Sequence, residues 1–164
     1  MIVLVNDANI FIDLLKIDLI DLFFKLPCEF HVTDLVLAEI HEANVAKLVV
    51  YIDDGTLHKK TFTFEELMQI QSLESKYKAL SVPDCSCLFQ AKILSGRLLT
   101  GDAPLRKYAS KDKIPVHGIL WIFDQLLEHN IITPHHAHDK LTDLINRNAR
   151  LPKAECRKRL NKWK

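Results

Sequence analysis

The stretch SVPDCSCLFQAKILSGRLLTGDAPLR, residues 81–106, decides the fold. Ser81-Val82-Pro83-Asp84 has the form of a helix start, and the helix runs on to Gly96 as its C-terminal stop. Asp84 shares a stripe of that helix with Cys87, Leu88 and Ala91. Arg97-Leu98-Leu99-Thr100 then reads as a short strand, Gly101-Asp102 follow it, and Pro104 opens another helix. Helix, strand and helix in so short a run are what the crossovers of a parallel sheet require.

The flanking sequence extends the pattern. Ile2-Val3-Leu4-Val5 is a continuous apolar run rich in β-branched residues, which suits a fully buried parallel strand. Ile10, Leu14 and Ile17, with Phe11 and Leu15 beside them, give the helical period directly after it. A second strand is expected near Phe30-His31-Val32, with Thr33 as the N-cap of a helix running to about Ala46. Leu48 to Ile52 suits a strand or a helix end, Asp53-Asp54-Gly55 a turn, and His58 to Phe64 an edge strand. Residues 65–79 read as an exposed amphipathic helix. A brief strand near Pro115-Val116 precedes helices at about 118–129, 134–147 and 153–162. The expected architecture is a three-layer α/β/α fold with a central, mostly parallel, Rossmann-like sheet. Residues 1–164 are expected to form one domain, with 119–164 as its helical C-terminal extension.

Apolar residues make up 48% of the chain and charged residues 26%, enough material for a buried core. With four Gly and six Pro there is no room for a long flexible linker. The apolar start is interrupted by Asn6, Asp7, Asn9 and Asp13 and has no basic leader region, so a cleaved targeting segment is not expected. No run approaches the roughly 18 uninterrupted apolar residues of a membrane helix. Cys28, Cys85, Cys87 and Cys156 lack the paired spacing of zinc or disulfide frameworks. A cytoplasmic protein with reduced thiols is expected.

Sheets of this class bind ligands at the carboxyl ends of their strands. Asp7 directly follows the first strand, and Asp102 follows Leu98–Thr100 by two residues. Asp84 lies in the first turn of its helix, and Glu39 in the second turn of the helix after strand two. Singly, each has an ordinary explanation: Asp7 and Asp102 as helix caps, Asp84 as a dipole partner, Glu39 as a solvated edge. Together they are costly, because like charges 4 Å apart repel by roughly 1 kcal/mol in water and about 4 at an effective dielectric of 20. A cation among them removes that cost. Oxygen-only ligands suit Mg²⁺ or Mn²⁺, and such sites serve phosphodiester hydrolysis.

These segments, IVLVNDANIFIDL, VTDLVLAEI and VPDCSCLFQAKILSGRLLTGDAPLR, resemble the PIN-domain superfamily, which includes the VapC-like ribonucleases. The resemblance spans about the first 118 residues. It implies a PIN-like fold and a Mg²⁺- or Mn²⁺-dependent ribonuclease, with Asp7, Glu39, Asp84 and Asp102 as catalytic metal ligands, directly or through water. By the same resemblance Asn9 and Thr100 position carboxylates or substrate by hydrogen bonds. Some members carry a further acid just after the last aspartate; here Ala103, Pro104 and Arg106 stand nearby, which leaves the number of bound metals open. Arg106 would then meet a substrate phosphate, unless it is an ordinary surface arginine. The implied partners are RNA, an antitoxin protein if the chain is a toxin of a toxin–antitoxin pair, and a second copy in a homodimer; no membrane is implied.

Other features stay outside that set. His135, His136 and His138 crowd one helix start without an evident third metal ligand. From Arg147 to Lys164 the chain is strongly basic, which suits either a phosphate backbone or a solvated terminal helix with Leu151, Leu160 and Trp163 packed on the body. A phosphoryl-transfer domain would need an acid where Asn9 stands and a lysine after Asp102. A catalytically silent PIN-like RNA-binding or protein-interaction module is the non-enzymatic alternative; the presence of all four acids argues for activity.

Overall fold

A computed structural model describes all residues 1–164. The chain opens with β1 (Ile2–Asn6), α1 (Ala8–Lys16), α2 (Ile20–Phe23), β2 (Cys28–Thr33) and α3 (Asp34–Leu37). It continues with α4 (Glu42–Asp53), β3 (Leu57–Lys60), α5 (Phe64–Lys76), α6 (Val82–Leu94) and β4 (Arg97–Leu99). The last third holds α7 (Ala103–Lys111), β5 (Val116–His117), α8 (Ile119–Glu128), α9 (Pro134–Arg147) and α10 (Lys153–Lys162).

All five strands run parallel in the order β3-β2-β1-β4-β5. Their central residues, Leu4, Val5, Phe30, Val32, Leu98 and Leu99, are buried, as a sheet covered on both faces demands. Side chains alternate across the sheet. Thr33 points to the face covered by α6, where it meets Ser86 at 2.8 Å. Phe30 points to the other face and packs edge-on against Phe23 of α2, ring centroids 4.9 Å apart. Helices therefore lie on both faces, and the expected α/β/α layering holds. At Gly96 a Cβ would come within 3.1 Å of both a methyl and the carbonyl oxygen of Val3. The entry to β4 thus needs glycine for its approach to β1.

The C-terminal helices add to the same buried cluster, which runs from Leu4 to Trp163. Trp163 is 5% exposed with its ring 5.9 Å from Phe123. Arg159 grips Asp124 with two bonds, Nε to Oδ1 at 3.0 Å and Nη2 to Oδ2 at 2.7 Å. Leu151 and Leu160 pack against the core, while Lys153, Arg157, Lys158, Lys162 and Lys164 stay exposed. No helix is long and apolar enough to cross a membrane.

The segment after β2 departs from the expected single helix from Thr33 to about Ala46. Thr33 caps α3 as expected, its Oγ1 accepting from the Val36 amide at 3.1 Å. The helix then tightens: the amides of Glu39 and Ile40 bond three residues back, to Val36 and Leu37. Such a 3₁₀-type turn ends an α-helix. His41 restarts it as the cap of α4, its Nδ1 accepting from Ala43 at 3.2 Å. Glu39 consequently sits in a turn and not in a second helical turn. Leu48–Ile52 belongs to α4, and the edge strand covers Leu57–Lys60, shorter than expected.

Candidate active site

Chain order reverses direction beside β1: β2 and β3 are laid to one side, β4 and β5 to the other. That switch point leaves a crevice at the carboxyl ends of β1 and β4. Asp7 leaves β1 into it as the N-cap of α1, and Asp102 lies beyond β4 as the N-cap of α7. Asp84 sits in the first turn of α6. Three carboxylates thereby occupy three helix N-termini, where the peptide dipoles favour negative charge.

Asp7 is 4% exposed and densely held. Its Oδ1 accepts from the Ala8 amide at 2.8 Å. Its Oδ2 accepts from Thr100 Oγ1 at 2.7 Å and from Asn9 Nδ2 at 3.3 Å. Thr100 Oγ1 in turn accepts from the Asp102 amide at 3.0 Å, and Asn9 Oδ1 accepts from the Gly101 amide at 3.2 Å. Asn9 and Thr100 therefore staple the 100–102 loop to the first turn of α1. Asp102 uses Oδ2 on the Leu105 amide at 3.0 Å, which leaves Oδ1 without a protein partner.

Asp84 forms a reciprocal box with Ser81. Its amide donates to Ser81 Oγ at 3.2 Å, and its Oδ2 accepts from the Ser81 amide at 3.0 Å. Here too Oδ1 has no protein partner. Two residues on, buried Ser86 bonds Thr33 and donates to the Pro83 carbonyl at 2.6 Å. That link fixes the start of α6 against the start of α3, whose following turn carries Glu39.

The four acids feel one another. Asp7 is raised above its ordinary value first by burial, then by the charges of Asp84 and Asp102, although Thr100 and Ala8 pull it back. Glu39 is raised by burial and by Asp7 and Asp84. Cys87, buried beneath, is pushed well up by burial and by Asp7, Asp84 and Glu39. None of the four carboxylates has a salt-bridge partner. The protein gathers negative charge and supplies no cation to balance it. An oxygen-only donor set of this kind fits a hard divalent ion. The acids stand too far apart for three of their oxygens to lie within 4.8 Å of one another, a spacing met only by Glu29, His31 and His58. At that spacing a divalent ion shared by the acids would be held partly through water.

The whole chain carries this pattern. A family model described as DUF3368, a PIN domain, matches residues 3–164. The chain belongs to this PIN-domain family. No curated protein matches it. PIN domains are generally nucleases that use divalent metals.

Within the PIN domain, hydrogen bonds join Asp7, Asn9, Thr100 and Asp102, and mutual repulsion couples Asp84 and Glu39 to Asp7. Arg106 is partly spent on structure: its Nη1 donates to the Thr100 carbonyl at 2.9 Å, and a Cβ at Gly118 would lie 3.2 Å from it. Sequence reasoning read Ser81 as part of a helix start without its pairing to Asp84, and did not single out Ser86 or Asn6. Asn6 is fully buried and donates to the His31 carbonyl at 3.1 Å, tying β1 to β2 just before Asp7. Ser81 was detectable from its capping-box spacing to Asp84. The histidines of α9 form no three-ligand cluster: His135 and His138 each face Asp139, but the three ligand atoms do not converge.

Proposed function

We propose that this PIN domain is a divalent-metal-dependent ribonuclease that hydrolyses RNA phosphodiester bonds at the Asp7 crevice. The observation that carries the reading is a buried aspartate, raised in pKa, among three further carboxylates with no cationic side chain paired to any of them. Asp7, Asp84, Asp102 and Glu39 would hold Mg²⁺ or Mn²⁺, directly or through water. Bound there, such ions activate water and offset charge on a leaving oxygen.

The chain's own residues do the positioning. Thr100 and Asn9 fix the Asp7 carboxylate, so its orientation does not have to be found when substrate arrives. Asp84 and Asp102 each commit one oxygen to backbone and keep the other for a ligand. The N-termini of α1, α6 and α7 present amide dipoles to a phosphate chain. The donors of Arg106 that are not bonded to Thr100 serve the same purpose. The exposed cations of α10 supply a sequence-independent attraction for RNA. A toxin role, with an antitoxin over the crevice and a homodimer of PIN domains, extends this reading by family resemblance.

The test is cleavage of a mixed RNA substrate with Mg²⁺, with Mn²⁺ and with EDTA, by wild type and by Asp7→Asn and Asp84→Asn. Metal-dependent cutting that falls about 100-fold or more in both variants is expected, since ion stabilisation of the transition state is worth several kcal/mol. RNA binding without cutting by the wild type would favour the silent module instead.

A further inference from the structure

The residues on the α6 face of β2 contain a second constellation away from the acids. Glu29, His31 and Thr33 alternate onto one face of the strand, and in the parallel register His31 stands opposite His58 of β3. Neighbouring strands run about 4.8 Å apart, so opposed side chains meet. The His31 and His58 rings lie 4.9 Å apart at 32°. His31 Nε2 is 3.0 Å from Glu29 Oε1. One ligand atom from each of the three residues lies within 4.8 Å of the others.

We propose that Glu29, His31 and His58 form a transition-metal site, suited to Zn²⁺, that clamps the edge strand β3 to β2. Two imidazoles and one carboxylate are a recurrent zinc donor set, with the remaining position open to water. Zinc bonds of 2.0–2.2 Å place tetrahedral ligands roughly 3.4 Å apart. The trio therefore needs to close by about an ångström. His58 is exposed and the Glu29 side chain is 43% exposed, so both can move; His31, 8% exposed, is the fixed member.

The local charges favour the same occupant. Burial holds His31 below its ordinary value, which keeps the imidazole neutral and able to bind metal, although Glu29 opposes this. Lys60, on the same face of β3 as His58, is engaged elsewhere, on Glu66 at 3.1 Å. Nitrogen donors also separate this site from the acidic crevice: imidazole suits zinc, and oxygen-only sets suit Mg²⁺ or Mn²⁺. β3 is short, only four residues long, and pairs on one side alone, so a bridge to β2 would anchor an edge strand.

The test is Zn²⁺ titration of the full, tag-free chain after chelator treatment, with Co²⁺ absorption as the geometric probe. One tight equivalent of Zn²⁺ is expected here, with a tetrahedral-type Co²⁺ spectrum that separates it from any oxygen-liganded ion in the crevice, and a rise in Tm. His58→Ala and Glu29→Gln should each weaken zinc affinity by at least about tenfold. The paired change His135→Ala with His138→Ala should leave it intact, as should Asp84→Asn. His58 is exposed, so its variant tests the site without disturbing the core. Absence of stoichiometric binding, or unchanged affinity in His58→Ala, overturns the proposal. Loss of binding in the α9 double variant alone would place the ion there instead and overturn it equally.

Discussion

Thr100 reaches across 93 residues of sequence to place its hydroxyl 2.7 Å from Asp7 Oδ2. Thr100 Oγ1 also accepts from the Asp102 amide at 3.0 Å. One side chain thus sets the position of both strand-end acids. It is fully buried, so its bonds are not shared with water.

Thr100→Val keeps the shape and removes the hydroxyl. A hydrogen bond to a charged group contributes about 1.5–3 kcal/mol, and the Asp102 amide would lose its acceptor as well. A destabilisation of about 2 kcal/mol in urea unfolding is expected, with Thr100→Ser recovering most of it. An unchanged midpoint for the valine variant would mean that the Asp7–Thr100 contact carries no net energy.

Asp84→Asn should act in the opposite direction when no divalent cation is present. The asparagine carbonyl can replace Oδ2 on the Ser81 amide, so the capping box survives. The repulsion that Asp84 exerts on Asp7 and Glu39 disappears. In EDTA the variant is expected to match or exceed wild type by up to about 1 kcal/mol, the size of one carboxylate pair in water. Adding Mn²⁺ should then raise the wild-type Tm and leave the variant nearly unmoved, because only an ion that binds the folded state stabilises it. A variant less stable in EDTA by more than about 1 kcal/mol, the most that loss of the helix-dipole interaction accounts for, would contradict the repulsion argument.

The acids also give a pH signature. Asp7 and Glu39 are held above their ordinary values of 3.8 and 4.5, so the folded chain keeps protons that the unfolded chain has released. These two groups therefore make stability without metal fall as pH rises from those values through the raised ones, whereas Asp54 and Glu66, held below theirs by hydrogen bonds, act the other way. Asp13, raised mainly by burial, adds a slope of the same sign as Asp7. Metal binding has the reverse dependence, since its ligands must be deprotonated. Thermal melts in EDTA across this range should show the decline, reduced in Asp7→Asn and still present in Asp13→Asn. A slope equal in wild type and Asp7→Asn would remove the crevice as its source.

Residues 81–106 were legible because everything that shapes them is local: the Ser81 start, the Gly96 stop, the apolar strand and Pro104. The C-terminal helices were legible for the same reason, and α9 begins and ends where its pattern does, at Pro134 and Arg147. Glu39 was placed near the other acids but on the wrong local structure. No Gly or Pro marks the break at 38–41; it arises from tertiary packing of Ile40, buried at 5%, and from the His41 cap. The Thr33–Ser86 bond joins residues 53 apart, and no periodicity announces such a pair. Of the basic tail, the packing was legible: burial of Trp163 and Cys156 shows that its apolar side is docked on the body.

The Thr33–Ser86 bond leads to the last prediction, which separates holding Glu39 in place from having Glu39 at all. Ser86 is fully buried, bonded at once to Thr33 Oγ1 and to the Pro83 carbonyl. Ser86→Ala removes both bonds and leaves two buried partners less satisfied, at a cost of about 1–3 kcal/mol. It also frees the start of α6, with Asp84, to shift relative to the turn that carries Glu39. Both stability in EDTA and Mn²⁺ affinity should therefore fall. Glu39→Gln removes a charge that its neighbours already oppose, so stability in EDTA should hold while Mn²⁺ affinity drops. Parallel urea melts and Mn²⁺ titrations of the two variants read the difference. If Ser86→Ala loses stability but binds Mn²⁺ as wild type does, the α3–α6 link braces the fold without setting the geometry of the acids.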